Sequence, residues 1–321
     1  MTSKPTAAFL DFASLGPEVD TAPLDRLVEA SYFARTRPEE IAERLAGAEV
    51  AIVNKIKLNR DQIRAATQLR LIVLSATGID NIDCAAAKEQ GIAVANTRDY
   101  CSAAVAQHVF ALILGLTHHV AAYDALARSG AWQRSECFAL FDYPIRELAG
   151  RKLGIVGFGY LGRAVADLGR CFGMELLVSG RPKSTSNTGD GRLPFDTVLE
   201  QAHVLSLHCP LNAETHHLIG REELRRMRSD ALLINTARGG LVDGAALAEA
   251  LRRGQIGGAG IDVLPTEPPL ADEPLVAQDI PNLILTPHIA WAAREARQRA
   301  LAQVAENVES FLAGGSLRRI V

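Results

Sequence analysis

Apolar residues in this chain fall into short unbroken runs, and the runs are separated by longer stretches with helical spacing. In the first hundred residues the runs cover 7–10, 50–53 and 71–74. Unbroken apolar runs of four or five residues predict strands buried on both faces. Residues 39–46 have the spacing of a helix. Ser75-Ala76-Thr77-Gly78-Ile79-Asp80 follows the third run as a glycine-containing loop. It lies at a strand's C-terminal end, where open α/β sheets bind ligands. Residues 102–128, rich in alanine and leucine, predict one long helix that is apolar on most sides and therefore buried. Residues 132–144 are irregular and aromatic, which suits an oligomer interface. A second series of predicted strands covers 153–156, 175–179, 204–208, 231–235, 258–262 and 283–285, with helices between them. A last helix, 292–313, is expected to pack back on the first unit. Strand runs alternating with helices predict an α/β protein with mostly parallel sheets, in two tandem units.

The length of 321 residues allows two domains at about 150 residues each. The net charge of −3 gives no electrostatic case for a nucleic acid or an anionic membrane as partner. Cys84, Cys101, Cys137, Cys171 and Cys209 are odd in number and widely spaced, with no C-x-x-C. That pattern predicts a reduced intracellular protein without a disulfide framework or metal site. The N-terminus shows no basic region followed by an apolar run, so no signal peptide is expected. The most apolar stretch, 103–116, is too short to span a bilayer and contains Gln107 and His108. The cytoplasm is the expected location.

Gly157-x-Gly159-x-x-Gly162 stands between a predicted strand and a predicted helix. The first glycine permits a tight turn, the second lets backbone approach a pyrophosphate, and the third lets helix and strand pack closely. The helix N-terminus then presents N–H groups to phosphate. An acidic residue about 20 positions on would bind the ribose 2′-hydroxyl of NAD. Ser179-Gly180-Arg181-Pro182-Lys183 has none. Ser179 and Arg181 suit a 2′-phosphate instead, so NADP is favoured while NAD stays open.

Three later segments offer acid–base chemistry. In Asn235-Thr236-Ala237-Arg238-Gly239-Gly240 the arginine sits on a tight turn and can grip a carboxylate. In the segment 260–269, Asp262 ends a strand where its carboxylate could accept from a nicotinamide amide, and Glu267 lies on a proline-rich turn. In Thr286-Pro287-His288 the histidine follows a buried strand. Histidine is the usual proton donor near neutral pH. Each residue alone has a commonplace structural explanation. Together they describe an arginine that holds a 2-keto acid and a histidine that protonates its keto oxygen as hydride arrives. Glu267 would pair with His288 and favour its imidazolium. The other histidines, His108, His118, His119, His203, His208, His216 and His217, read as structural.

These motifs, with 74–83 and His208-Cys209-Pro210-Leu211, resemble in order and spacing the D-isomer-specific 2-hydroxyacid dehydrogenases, most closely the glycerate dehydrogenase/hydroxypyruvate reductase branch. The resemblance spans nearly the whole chain. It implies two Rossmann/flavodoxin-like domains: a discontinuous substrate domain, 1–98 with 290–321, and an inserted NAD(P)-binding domain, 99–289. It implies Arg238, Glu267 and His288 as catalytic residues, and the loop Ala76, Thr77 and Gly78 as binder of the substrate carboxylate, with Arg238 and His288 also on the substrate. Gly157, Gly159, Tyr160, Leu161, Gly162, Pro210, Thr215, Thr236, Ala237, Arg238, Asp262 and His288 would contact the cofactor. A homodimer built around the long helix is also implied. Gln107 stands where many members have glutamate. Trp291 and the segment 138–141 point to the hydroxypyruvate branch. The expected reaction reduces hydroxypyruvate or glyoxylate to D-glycerate or glycolate with NADPH or NADH. The alternatives are a bulkier 2-keto acid, an NAD(H)-sensing regulator of the same fold, and, ranked lower, a methyltransferase.

Overall fold

The buried runs pair side by side as parallel strands in two separate sheets. A computed structural model describes residues 4–182 and 191–321, which form two units: Met1–Cys101 with Trp291–Val321, and Ser102–Ala290.

In the first unit, strands β1 (Thr6–Phe9), β2 (Glu29–Tyr32), β3 (Val50–Val53), β4 (Leu71–Leu74) and β5 (Ala93–Ala95) lie in the order β2-β1-β3-β4-β5. Alternate side chains of a strand point to opposite faces, so each unbroken apolar run feeds two cores. Ala8, Leu10, Ala51, Val53, Ile72 and Leu74 meet helices Ile41–Leu45, Arg60–Ala65 and Cys84–Glu89 on one face. Phe9, Ile52, Leu71 and Val73 meet Leu301, Val304, Ala305 and Val308 on the other. Those four residues belong to the last helix, Arg294–Leu312, which returns to this unit as the sequence suggests. After β4, the carbonyl of Ala76 accepts from Thr97 N–H and that of Thr77 from Asn96 Nδ2 (2.7 Å), which fixes the glycine-containing loop.

The second unit contains β6 (Lys152–Val156), β7 (Glu175–Val178), β8 (Val204–Leu207), β9 (Leu232–Asn235), β10 (Gly258–Ile261) and β11 (Leu283–Leu285), in the order β11-β10-β9-β8-β6-β7. The chain turns to one side of β6 for β7 and to the other for β8. The C-terminal ends of β6 and β8 therefore frame the crevice where such sheets take ligands.

The single long helix expected over 102–128 is two helices, Ser102–His118 and Val120–Arg128, bent by 51°. His119 between them has φ +49°. The carbonyl of Thr117, which a continuous helix would use, accepts instead from Arg146 N–H. The His119 ring stacks on Tyr143, 5.5 Å between centroids. Tertiary contacts with the following segment thus replace helical bonds that local composition would have allowed. The first of the two helices lies on the sheet, with Leu112 pressed against Gly260 and Leu116 against Gly258. A β-carbon at Gly260 would come within 2.9 Å of Leu112 Cβ. Among the described residues no single helix is long and apolar enough to cross a membrane.

Residues 132–144 form turns, with Phe138 90% and Phe141 84% exposed. The five cysteines are all free. Residues 183–190, including Lys183 of the segment that follows β7, lie outside the described part.

If the last helix holds the first unit together through its apolar stripe, Leu301→Ala should lower the unfolding free energy by about 2–5 kcal/mol. Denaturant unfolding of the full chain measures this. A loss of under about 1 kcal/mol would mean that the site collapses around the smaller side chain.

Candidate active site

The turn after β6 is fixed by close backbone approaches. Gly157 has φ +95°, and a β-carbon there would lie 2.5 Å from Cys209 N and 2.6 Å from His208 C. The turn therefore presses on the end of β8 in a way that only glycine allows. A β-carbon on Gly162 would lie 2.1 Å from Gly157 O, so the helix Tyr160–Cys171 closes down on its own entry loop. Gly159 differs, since nothing comes within 4 Å of its missing β-carbon. It is also the N-cap of that helix and offers no side chain to satisfy the first-turn N–H groups. Tight packing at the first and third glycines, with an open second glycine at a helix N-terminus, fits a dinucleotide pyrophosphate.

The other residues expected to meet the cofactor are distributed around this crevice. Tyr160 is exposed and Leu161 half-buried in the first helical turn. Thr215 Oγ1 donates to Pro210 O (2.8 Å), so both belong to one closed turn after β8. Ser179 is buried at the end of β7 and donates to Gly180 O, while Arg181 beyond it is exposed. Thr236 and Ala237 are buried after β9. Thr236 Oγ1 has no hydrogen-bond partner among the described residues.

Arg238, Glu267 and His288 sit beyond the C-terminal ends of β9, β10 and β11, which are neighbours in the sheet. The Arg238 turn is tied internally by Asn235, whose Oδ1 accepts from Ala237 N–H and whose Nδ2 donates to Arg238 O. A β-carbon on Gly239 would lie 2.0 Å from Leu264 C, so this turn rests directly on the backbone leading to Glu267. Glu267 Oε1 accepts from Leu264 N–H (3.0 Å), and its Oε2 lies 2.5 Å from His288 Nδ1. A carboxylate at Nδ1 orients the ring and leaves Nε2 as the nitrogen for proton exchange. His288 itself has φ +54°, a left-handed conformation rare for residues with a β-carbon.

Asp262, expected to meet the nicotinamide, follows β10 with its carboxylate engaged by the segment after β11. Its side chain is fully buried. Oδ1 accepts from Thr286 Oγ1 (2.6 Å) and Ile289 N–H (2.9 Å), and Oδ2 from Ala290 N–H (2.9 Å). His108, which the sequence presents as an ordinary helix residue, reaches this group with Nε2 3.0 Å from Thr286 Oγ1. Only the fold brings residue 108 to residue 286.

Comparison with known proteins bears on what this arrangement serves. The family model of the D-isomer specific 2-hydroxyacid dehydrogenase NAD binding domain matches residues 110–290, more than half of the chain. The chain belongs to the D-isomer-specific 2-hydroxyacid dehydrogenases. A glycerate dehydrogenase of Methylorubrum extorquens is 46% identical to this dehydrogenase over 283 residues, covering 88% of each chain. A hydroxypyruvate reductase of Blautia hydrogenotrophica is 34% identical over 311 residues, 95% of this chain and 96% of that one. The crystal structure of the TT0316 protein from Thermus thermophilus superposes with TM-score 0.85 at 33% identity, over 98% of this chain and 100% of that one.

One histidine of the dehydrogenase carries a pH signature. His208 is half-buried beside the Gly157 turn, with Nε2 2.8 Å from Ser206 Oγ, and the loss of solvent around the ring pushes its pKa down to about 4. In the unfolded chain an imidazole titrates near its ordinary value of about 6.5. Between these values the unfolded state binds more protons, so stability falls as pH drops from about 6.5 to about 4. Removing the group in His208→Asn should make the loss of unfolding free energy between pH 7 and pH 4.5 smaller by about 2 kcal/mol. Parallel denaturation curves at the two pH values test this, and an undiminished loss would assign the proton uptake to other groups.

Proposed function

We propose that this dehydrogenase reduces small 2-keto acids, hydroxypyruvate and glyoxylate, to D-glycerate and glycolate. The observation that carries the reading is the Glu267–His288 contact of 2.5 Å at the ends of adjacent strands, with the Arg238 turn resting on the same backbone. The similarity to glycerate dehydrogenase and hydroxypyruvate reductase supports the choice of substrate.

The nicotinamide, when bound, supplies the hydride. Arg238 binds the keto acid through its planar fork, which matches a carboxylate and polarises the adjacent carbonyl. His288 Nε2 gives a proton to the keto oxygen as the carbonyl carbon is reduced, and takes it back in the reverse reaction. Glu267, held by Leu264 N–H, keeps the ring in register and balances the imidazolium charge. The open Gly159 and the uncapped helix behind it take the pyrophosphate. Exposed Arg181, with Ser179 and no acid at the end of β7, favours NADP over NAD. The exposed aromatic segment containing Trp132, Phe138 and Phe141 is covered in a homodimer.

Initial rates with hydroxypyruvate, glyoxylate, pyruvate and a branched 2-keto acid, each with NADPH and NADH, should show fastest turnover with the first two. Turnover of none of them, alongside measurable cofactor binding, would overturn the reading. Arg181→Ala should narrow the NADPH preference about tenfold through the cofactor's KM, and an unaltered ratio would remove Arg181 from cofactor choice.

Side-chain variants test the mechanism separately. His288→Ala should lower kcat by about 10²–10⁴-fold while cofactor affinity persists. Near-normal turnover would refute its role as proton donor. Arg238→Lys should lower kcat/KM by at least about tenfold, because an ammonium cannot reproduce the fork. Unchanged kcat/KM would refute Arg238 as the substrate's anchor.

A further inference from the structure

We propose that His108 and Thr286 are positioning residues that act through Asp262 to fix the backbone carrying His288. The inference rests on the reading of His288 as proton donor and goes beyond it to two residues outside the Arg–Glu–His set.

Proton bookkeeping gives the direction of the chain of hydrogen bonds. Asp262 Oδ1 lies 2.6 Å from Thr286 Oγ1, and a carboxylate oxygen only accepts. The threonine's single hydroxyl proton is thus committed to Asp262. Towards His108 Nε2, 3.0 Å away, Thr286 Oγ1 can only accept, so His108 carries its proton on Nε2. The sequence of donors runs from His108 to Thr286 to Asp262. Asp262 also receives the N–H groups of Ile289 and Ala290, and its backbone carbonyl receives His288 N–H at 2.8 Å. The residues on both sides of Pro287-His288 are therefore tied to one buried carboxylate. His108 ties that carboxylate in turn to the helix Ser102–His118, which is packed on β10.

This anchoring addresses a specific cost. His288 has φ +54°, and a residue with a β-carbon keeps such a conformation only when its surroundings impose it. Relaxation of 286–290 would move the imidazole away from Glu267 and from the reacting oxygen. A misplacement of about 1 Å costs on the order of a hundredfold in rate. The hydroxyl of Thr286 and the N–H of His108 touch neither substrate nor the reacting atoms in this account. Their influence passes through His288 alone.

The test uses the purified full chain, with kcat and KM for hydroxypyruvate and cofactor affinity measured for each variant. Thr286→Val keeps volume and removes the hydroxyl. It should lower kcat by about 10- to 100-fold, with both KM and cofactor affinity within about twofold. Thr286→Ser should restore most of kcat. His108→Leu should lower kcat in the same sense, and His108→Gln, whose amide can still donate, should recover it. This second pair decides the matter should Thr286→Val fail to fold. The losses of His108→Leu and Thr286→Val should not multiply when combined. In a His288→Ala background neither substitution should reduce kcat further, a result that a general structural role would not give. Full kcat in both Thr286→Val and His108→Leu, with His288→Ala impaired, would overturn this proposal and leave the donor reading intact. Further loss in the His288→Ala background would also overturn it. Normal turnover of His288→Ala would overturn the donor reading and this proposal together.

Discussion

Backbone packed against backbone without intervening side chains is the constraint on which the second unit depends. Gly157 lies on the His208–Cys209 peptide, Gly162 on Gly157, and Gly239 on the Leu264–Pro265 peptide. Each approach would place an added β-carbon within 2.7 Å of main-chain atoms. Main chain cannot swing aside as a long side chain can, so alanine there displaces an entire turn. The first two contacts shape the glycine loop after β6. The third seats the Arg238 turn on the segment that ends in Glu267. The proposed phosphate loop and the proposed acid–base residues thus draw on one local device, backbone packed on backbone at strand ends.

Those strand ends are legible in the sequence because a parallel strand buried on both faces leaves an unbroken apolar run. The runs at 50–53 and 71–74 announce β3 and β4 residue for residue, and 204–208 announces β8 although Ser206 interrupts it. Two strands of the first sheet leave no such trace. β2, Glu29–Tyr32, is an edge strand with alternating exposure, and its sequence EASY is mostly polar or small. β5 is three residues, AVA, too short to show a period. The helix break at His119 is invisible for a different reason. No glycine or proline marks it, and the Thr117 carbonyl turns away because Arg146, 29 positions later, supplies its donor. Local propensity has no access to that contact.

The candidate site shows the same division. Glycine spacing and residue type at strand ends bring out Arg238, Glu267 and His288 from the sequence alone. Asp262 stands out there as a carboxylate that ends a strand, but the sequence does not report which protein groups its oxygens meet. In the fold it turns inward and collects three donors from the segment that follows β11. His108 offers no signal beyond a polar residue on an apolar helix. Its neighbour Thr286 is 178 positions away in the chain.

Burying the Asp262 carboxylate would cost several kcal/mol if its oxygens were unpaired. Three hydrogen bonds, each with charge on the acceptor, offset that cost only while 286–290 keeps its present path. The left-handed backbone at His288 works against that path by on the order of 1–3 kcal/mol. The two terms are coupled: relaxing His288 would strip donors from a buried anion, so the loop has one low-energy arrangement rather than several. Buried polarity here contributes uniqueness of conformation more than net stability. A proton donor benefits from that uniqueness, because the distance from Nε2 to an acceptor matters to the rate far more than small changes in overall stability do. His208 shows a different use of a histidine in the same unit, half-buried with its pKa pushed down to about 4 and so neutral near pH 7. One imidazole is neutral near pH 7 beside the Gly157 turn. The other is held at Nδ1 by a carboxylate, with a strained backbone fixing where its remaining nitrogen lies.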